Sequence, residues 1–233
     1  MNPAPEHRKL LLASKSPRRR RLLAWLGLAF EVAEVETPEE LDHPLASDPA
    51  ALAMHLAAEK GEAARQAGLT NNRLVLCFDT IVVHAGRVLG KPADADDARE
   101  MLSGLSGQVH QVVTGCALMC PGEQAPRTFA VVTHVRMKDL DDERIAQWMS
   151  SGEYMGCAGA YNIEGQVAEV TEDECYQNVA GLPLCHLYAE LTGPKAPECL
   201  DLSPSPPVAP CDEALSRCCR LGPRVTGFRG CGA

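Results

Sequence analysis

The ten residues LVLCFDTIVV, Leu74 to Val83, do most to limit what this chain can become. They are almost uninterruptedly apolar, the pattern of a strand buried in a core, and Ala85-Gly86 permits a tight turn into a second short run, Arg87 to Leu89. Asp79 interrupts the first run. An ionised carboxylate in such surroundings costs several kcal/mol unless a cation, a metal or hydrogen bonds compensate it, so a fold that buries this strand must supply a partner for its acid. An aspartate at a strand end bonded to backbone is the structural alternative. We read the placement as functional.

A second constraint lies upstream. Leu10 to Ala13 is a short apolar run, followed by Ser-Lys-Ser-Pro, in which Ser16 suits an N-cap and Pro17 the first helical position. In the helix that follows, Leu22, Leu23 and Leu26 form one stripe, Arg18 and Arg19 project near its edges, and Arg20 and Arg21 point away. The formal net charge of the chain is −9, which makes it a poor general partner for nucleic acid. A basic cluster inside an acidic chain reads instead as a local site for a small anion. Exposed N–H groups at a helix start, a favourable dipole and two forked guanidinium groups suit phosphate oxygens, whereas the plain alternative is a solvated basic helix face.

The remaining segments alternate between helix and strand. Asp48 and Pro49 open a helix with apolar spacing at Leu52, Leu56 and Ala63, and Lys60 lies near the edge of its stripe, where a lysine ordinarily snorkels. DADDAREMLSGLSG and DLDDERIAQWMSSG read as helices with acidic starts and glycine stops, HQVVTGCALMC and RTFAVVTHVRM as strands. CAGAYNIEG and NVAGLPL are glycine-punctuated loops before a last helix over residues 183–191. Without a strict βαβ rhythm, this predicts an α/β domain with a mixed sheet.

At 233 residues, 45% hydrophobic and 23% charged, the chain fits one soluble domain with or without an appendage. Composition changes after Leu191, where TGPKAPECLDLSPSPPVAP neither continues a helix nor enters a central strand. We therefore expect a domain over residues 1–193 and a Pro- and Cys-rich flexible extension over 194–233. Of the eleven cysteines, Cys77 and Cys116 sit in strand-like runs as small hydrophobes, and most are expected to be reduced. Cys199, Cys211, Cys218, Cys219 and Cys231 lack the paired spacing of a zinc site. The histidines show no H-E-x-x-H pattern, and neither phosphate-binding glycine loops nor G-x-S-x-G occur. No apolar stretch nears the roughly 20 residues of a membrane span, and the first nine residues lack a signal-peptide core, which gives a cytoplasmic reading.

Several segments together resemble the Maf family of nucleoside triphosphate pyrophosphatases. LASKSPRRRRLL, LAAEKG, FDTIVVHAGRVLGKPADADDAREMLSGLSGQVHQVVTG, AGAYNIEG and NVAGLPL occur in that family's order and span nearly everything from Leu10 to Leu191. The resemblance implies a mixed twisted sheet flanked by helices around a deep cleft, usually in a homodimer. It implies hydrolysis of a nucleoside triphosphate to the monophosphate and pyrophosphate with a divalent cation, Mg or Mn. By the same transfer, Ser14, Arg18 and Arg19 bind phosphate, Lys60 and Lys91 are the cleft lysines, Asp79 is the proton acceptor, and Glu39 with Asp79 is associated with the metal. Members that prefer dTTP and UTP resemble this chain at Arg18 and at Asp79-Thr80 but carry Gln where Glu164 stands. Those acting on 7-methyl-GTP resemble it at Cys157 and Glu164, and Thr80 and Glu164 are assigned to substrate binding with Ser14, Arg18 and Arg19. The expectation is a dTTP/UTP pyrophosphatase that removes non-standard or excess nucleotides, with 7-methyl-GTP as the alternative substrate. A non-catalytic nucleotide-binding regulator of septum formation is the alternative from a different class. Gly61, Cys77-Phe78 and a short stretch between Gly165 and Asn178 depart from the family pattern.

Overall fold

The computed structural model describes residues 9–38, 40–194, 196–197 and 202–228. Its spine is the strand anticipated around Asp79, β3 (Arg73–His84). Strand β1 (Lys9–Ala13) lies parallel to both β2 (Phe30–Ala33) and the first half of β3, with Leu12 opposite Val32 and Leu76. Strand β4 (Arg87–Leu89) returns from the turn and pairs antiparallel with the last residues of β3. On the other side, β5 (Val109–Met119), β6 (Arg127–Met137) and β7 (Ala168–Glu169) continue the sheet antiparallel. Among the described residues the order is β2-β1-β3-β5-β6-β7, with β4 on β3. The sheet is mixed, open and seven-stranded.

This topology leaves one gap. Pairing of β1 with β3 ends at Ala13 opposite Cys77, and pairing of β4 begins at Val82 opposite Leu89. Asp79 and Thr80 fall between, with one edge of the strand open and the other held by Gly115 and Thr114 of β5. A crevice where neighbouring strands diverge is where open α/β sheets take their ligands.

The helices begin where their caps are read. Ser16 accepts from the Arg19 N–H at the start of α1 (Pro17–Ala24), and Asp48 from the Ala51 N–H at 3.1 Å at the start of α2 (Pro49–Gln66). Asp94 caps α3 (Ala95–Leu105) and Asp141 caps α4 (Asp142–Met149) in the same way. Alternation along β3 then separates two layers. Leu74, Leu76, Phe78 and Val82 join Leu22 and Leu23 of α1 and Leu102 of α3 in the main core. Val75, Cys77, Ile81 and Val83 face α2 through Leu52, Leu56, Ala57 and Ala64. Burial pushes the Cys77 thiol up to about 12, so it stays a protonated hydrophobe, as expected.

Helix α2 sits on the sheet because Gly115 has no side chain. A Cβ there would lie 1.9 Å from the Ala53 carbonyl oxygen and 2.6 Å from the Met54 nitrogen, backbone atoms that cannot yield separately.

The chain ends with α5 (Tyr176–Val179), α6 (Leu184–Thr192), α7 (Val208–Leu215) and α8 (Leu221–Thr226). Composition alone predicts a flexible extension beyond residue 193, yet over residues 202–228 the chain is docked. Val208 and Cys211 are buried, the Ser205 N–H donates to the Leu26 carbonyl at 2.8 Å, and Arg217 donates to the Val170 carbonyl at 2.8 Å. Phe228 meets Tyr188 of α6 edge to face. A few apolar side chains and donors matched to carbonyls outweigh the proline content. Among the described residues eight cysteines are outside any disulfide, in keeping with most being reduced, and Cys218 is disulfide-bonded.

Replacing Gly115 by Ala forces α2 off the sheet. Gly115→Ala is expected to cost about 3 kcal/mol or more in urea unfolding. Wild-type stability in that variant would contradict the close packing.

Candidate functional site

Adjacent residues of β3 point to opposite layers, and each finds a cation. Asp79, 5% exposed, faces α2 and pairs with the Lys60 ammonium. Thr80 faces the other way, and its hydroxyl accepts from Arg19 Nη2 at 3.0 Å. The acid of the apolar strand therefore has the cationic partner its burial requires, and the partner is a lysine that looks, in sequence, like an ordinary snorkelling side chain.

The basic helix mouth is tightly wound. The Ser14 N–H donates to the Ala33 carbonyl at 3.0 Å, and the Ser14 hydroxyl oxygen accepts from the Ser16 N–H at 3.2 Å. Arg19 spans the gap in the sheet: its Nε–H donates to the Gly181 carbonyl at 2.8 Å, and its guanidinium lies 5.8 Å from the Phe78 ring centroid. Arg18 Nη2 is 3.3 Å from Cys157 Sγ. Arg20 and Arg21 are exposed, as the helix periodicity predicts, but Arg21 reaches along the rim to pair with Glu164, while Arg20 donates to the Lys15 carbonyl.

All of this opens on one cleft of about 980 Å³. Ser14, Arg18 and Arg19 line it from the β1–α1 connection, Lys60 from α2, and Asp79 with Thr80 from β3. Lys91 lines it from beyond β4 and Glu164 from the loop after α4. The described residues selected from sequence thus share a single cavity. Glu39 lies outside the described residues. A second cavity, between α6 and the docked extension, measures about 20 Å³, roughly the room for one water.

Six cationic and four carboxylate side chains line the large cleft, an excess of two positive charges in a chain of net charge −9. That contrast favours an anion here and nowhere in general. Several lining groups escape the sequence reading. Glu153 accepts from Asn162 Nδ2 at 2.7 Å, and Tyr161 shares a 2.6 Å hydrogen bond with His110 Nε2. Burial holds the Tyr161 phenol above its ordinary range and the His110 imidazole down at about 4, so this pair is neutral near pH 7. Of these, Tyr161 and Asn162 fall in the glycine-rich AGAYNIEG run.

The donor set also decides which cation the cleft suits. Among the described residues no three His, Cys, Asp or Glu side chains converge as a closed metal site, whereas the carboxylates of Asp79 and Glu36 both line the cleft. Magnesium is ordinarily held by one or two carboxylates, with phosphate oxygens and waters completing its shell. These residues fit a hard divalent cation that arrives with a phosphate ligand.

The chain is similar to known proteins over most of its length. A family model described as Maf-like protein matches residues 9–193. A protein of Geobacter metallireducens named dTTP/UTP pyrophosphatase is 42% identical over 190 residues, covering 80% of this chain and 96% of its own. A Pelotomaculum thermopropionicum protein of the same name is 42% identical over 185 residues, 77% of this chain and 93% of its own. One from Geobacter sulfurreducens, also so named, is 43% identical over 189 residues, 80% and 96% respectively.

Removing one partner of a buried ion pair leaves an uncompensated charge. Lys60→Met is expected to lose roughly 3 kcal/mol of unfolding free energy in urea, and Lys60→Met with Asp79→Asn to regain part of it. A single variant as stable as the wild type would show that Asp79 does not depend on Lys60.

Proposed function

This chain belongs to the Maf-like protein family, and from that premise we propose that it is a nucleoside triphosphate pyrophosphatase, converting dTTP and UTP to the monophosphate and pyrophosphate. The observation that carries the reading is the convergence of the Asp79–Lys60 pair and the Arg19–Thr80 contact, from opposite layers, on one positively charged cleft. Relatives about 40% identical over most of the chain are named for that activity.

In the reaction, a water oxygen attacks the α-phosphorus, the bond from that phosphorus to the α–β bridging oxygen breaks, and pyrophosphate leaves with the bridging oxygen. Asp79 takes the proton from the water. Lys60, paired with Asp79, holds the carboxylate in place to accept it. Arg18, Arg19 and Lys91 receive the phosphate oxygens, with the Ser14–Ser16 turn at the helix mouth beneath them, and the charge developing on the leaving group is met by donors already in place. By the resemblance Asp79 and Glu39 would hold a divalent cation, Mg or Mn, with Glu36 the nearby acid that lines the cleft among the described residues, and the cation would supply further neutralisation of phosphate charge. Glu164 stands at the rim with Arg21 and is assigned to the base end of the substrate.

The same reading gives a pyrophosphatase domain over residues 1–193 with an appended extension, acting as a cytoplasmic homodimer on free nucleotides, not on nucleic acid. Light scattering of the purified chain checks the dimer, and a monomer would contradict it. No helix among the described residues is long and apolar enough to cross a membrane.

Pyrophosphate release over a nucleotide panel with Mg or Mn tests the activity. The expected result is fastest turnover of dTTP and UTP, loss on chelation, and a fall of about 10²–10⁴ in kcat for Asp79→Asn with an unchanged circular dichroism spectrum. Near-normal turnover by that variant would refute the base assignment. Faster hydrolysis of 7-methyl-GTP would move the specificity to the alternative suggested by Cys157 and Glu164. Tight binding without turnover would leave a nucleotide-binding regulator.

A further inference from the structure

Arg19 is the guanidinium at the centre of the proposed phosphate site, and among its acceptors are Gly181 O at 2.8 Å from Nε, Thr80 Oγ1 at 3.0 Å from Nη2 and, more distant, Ser14 Oγ at 3.5 Å from Nη1. Neither of the first two is fixed by itself. The Gly181 N–H donates to the Asn178 carbonyl at 2.9 Å, and Gly181 has φ +96°, with an added Cβ only 3.2 Å from Arg19 Nε, so glycine is what lets the backbone turn beneath the guanidinium. The Thr80 hydroxyl lies 3.0 Å from that of Thr114, directly across the β3–β5 ladder, and the Thr114 hydroxyl donates to the same Asn178 carbonyl at 3.1 Å. The two shorter supports of Arg19 thus end on one oxygen.

The proton directions in this chain are forced. Arginine offers no acceptor and a carbonyl no donor, so Arg19 donates to Thr80, Thr80 to Thr114, and Thr114 to Asn178, with every hydroxyl used once in each role. Asn178 is in turn fully buried, and its Nδ2 lies 3.2 Å from the Val112 carbonyl, 3.0 Å from the Val131 carbonyl and 3.1 Å from the Thr133 hydroxyl. Strands β5 and β6 therefore fix the carbonyl on which the chain terminates.

We infer that Thr114 and Asn178 are positioning residues that set the Arg19 guanidinium for phosphate oxygens. Neither lines the cleft at the Arg19 end; they act through Thr80 and Gly181. An arginine already held through its guanidinium nitrogens loses little rotamer freedom when phosphate arrives, which is where such a chain adds affinity. The inference rests on the proposed phosphate site but not on turnover.

The test separates the two. Binding of inorganic tripolyphosphate by calorimetry is compared among wild type, Thr114→Val and Thr114→Ser, alongside KM and kcat for UTP. Thr114→Val keeps the shape and removes the hydroxyl, and is expected to bind tripolyphosphate about tenfold more weakly and raise KM, whereas Thr114→Ser stays within about twofold of wild type. Folded Thr114→Val with wild-type affinity, or Thr114→Ser as impaired as Thr114→Val, would overturn the inference. Should Thr114→Val not fold, 15N-labelled wild-type protein decides: the Arg19 Nε–H is expected to exchange much more slowly than that of Arg20, and equal rates would overturn it. If tripolyphosphate binds as expected while no nucleotide is hydrolysed, the activity reading fails and the positioning role stands.

Discussion

The structure depends on a buried carboxylate held against a largely buried lysine in the gap between β1 and β4, where β3 is paired on one side only. Strand β3 is long because its two halves serve different neighbours, β1 before Asp79 and β4 after Thr80. Between them four residues are bonded on one side only, and alternation turns Asp79 toward α2 and Thr80 toward α1. A single dipeptide thereby recruits cations from two layers. Gly115, opposite Asp79, completes the arrangement by letting α2 descend until Lys60 reaches the acid.

Electrostatics follow from that geometry. The chain is acidic as a whole, yet cationic groups outnumber carboxylates in the cleft, so attraction for an anion is local. Several of the cations already have anionic partners, Lys15 with Glu36, Arg21 with Glu164 and Lys60 with Asp79. Exposed pairs such as the first two contribute little to stability and are easily exchanged for a phosphate group, whereas the third is buried and fixed. The cleft thus combines exchangeable charge at its rim with a rigid acid in its floor.

Much of this was legible from residues alone. The caps Ser16, Asp48, Asp94 and Asp141 mark helix starts because their side chains compete for the first free N–H groups, a local effect. The buried strand and its acid are equally local signals. What stayed hidden is tertiary. Strand β2 is a four-residue edge strand whose residues are half-buried or exposed, too short to show a period. Residues 202–228 look disordered by composition, but a few contacts, Val208 and Cys211 in the core and backbone donors on Leu26 and Glu172, suffice to dock them. Thr114 and Asn178 fall within the recognisable segments HQVVTG and NVAGLPL, but nothing there singles them out, because a buried hydroxyl or amide gains its role only from what faces it across the sheet.

The most direct measurement is a crystal structure with a UTP analogue whose α–β bridge cannot be cleaved. The account predicts the triphosphate in the gap between β1 and β4, Arg18 and Arg19 on its oxygens, and the α-phosphorus as the phosphorus nearest to Asp79. A nucleotide bound elsewhere, or in this cleft with its phosphates directed away from Asp79 and Arg19, would contradict it.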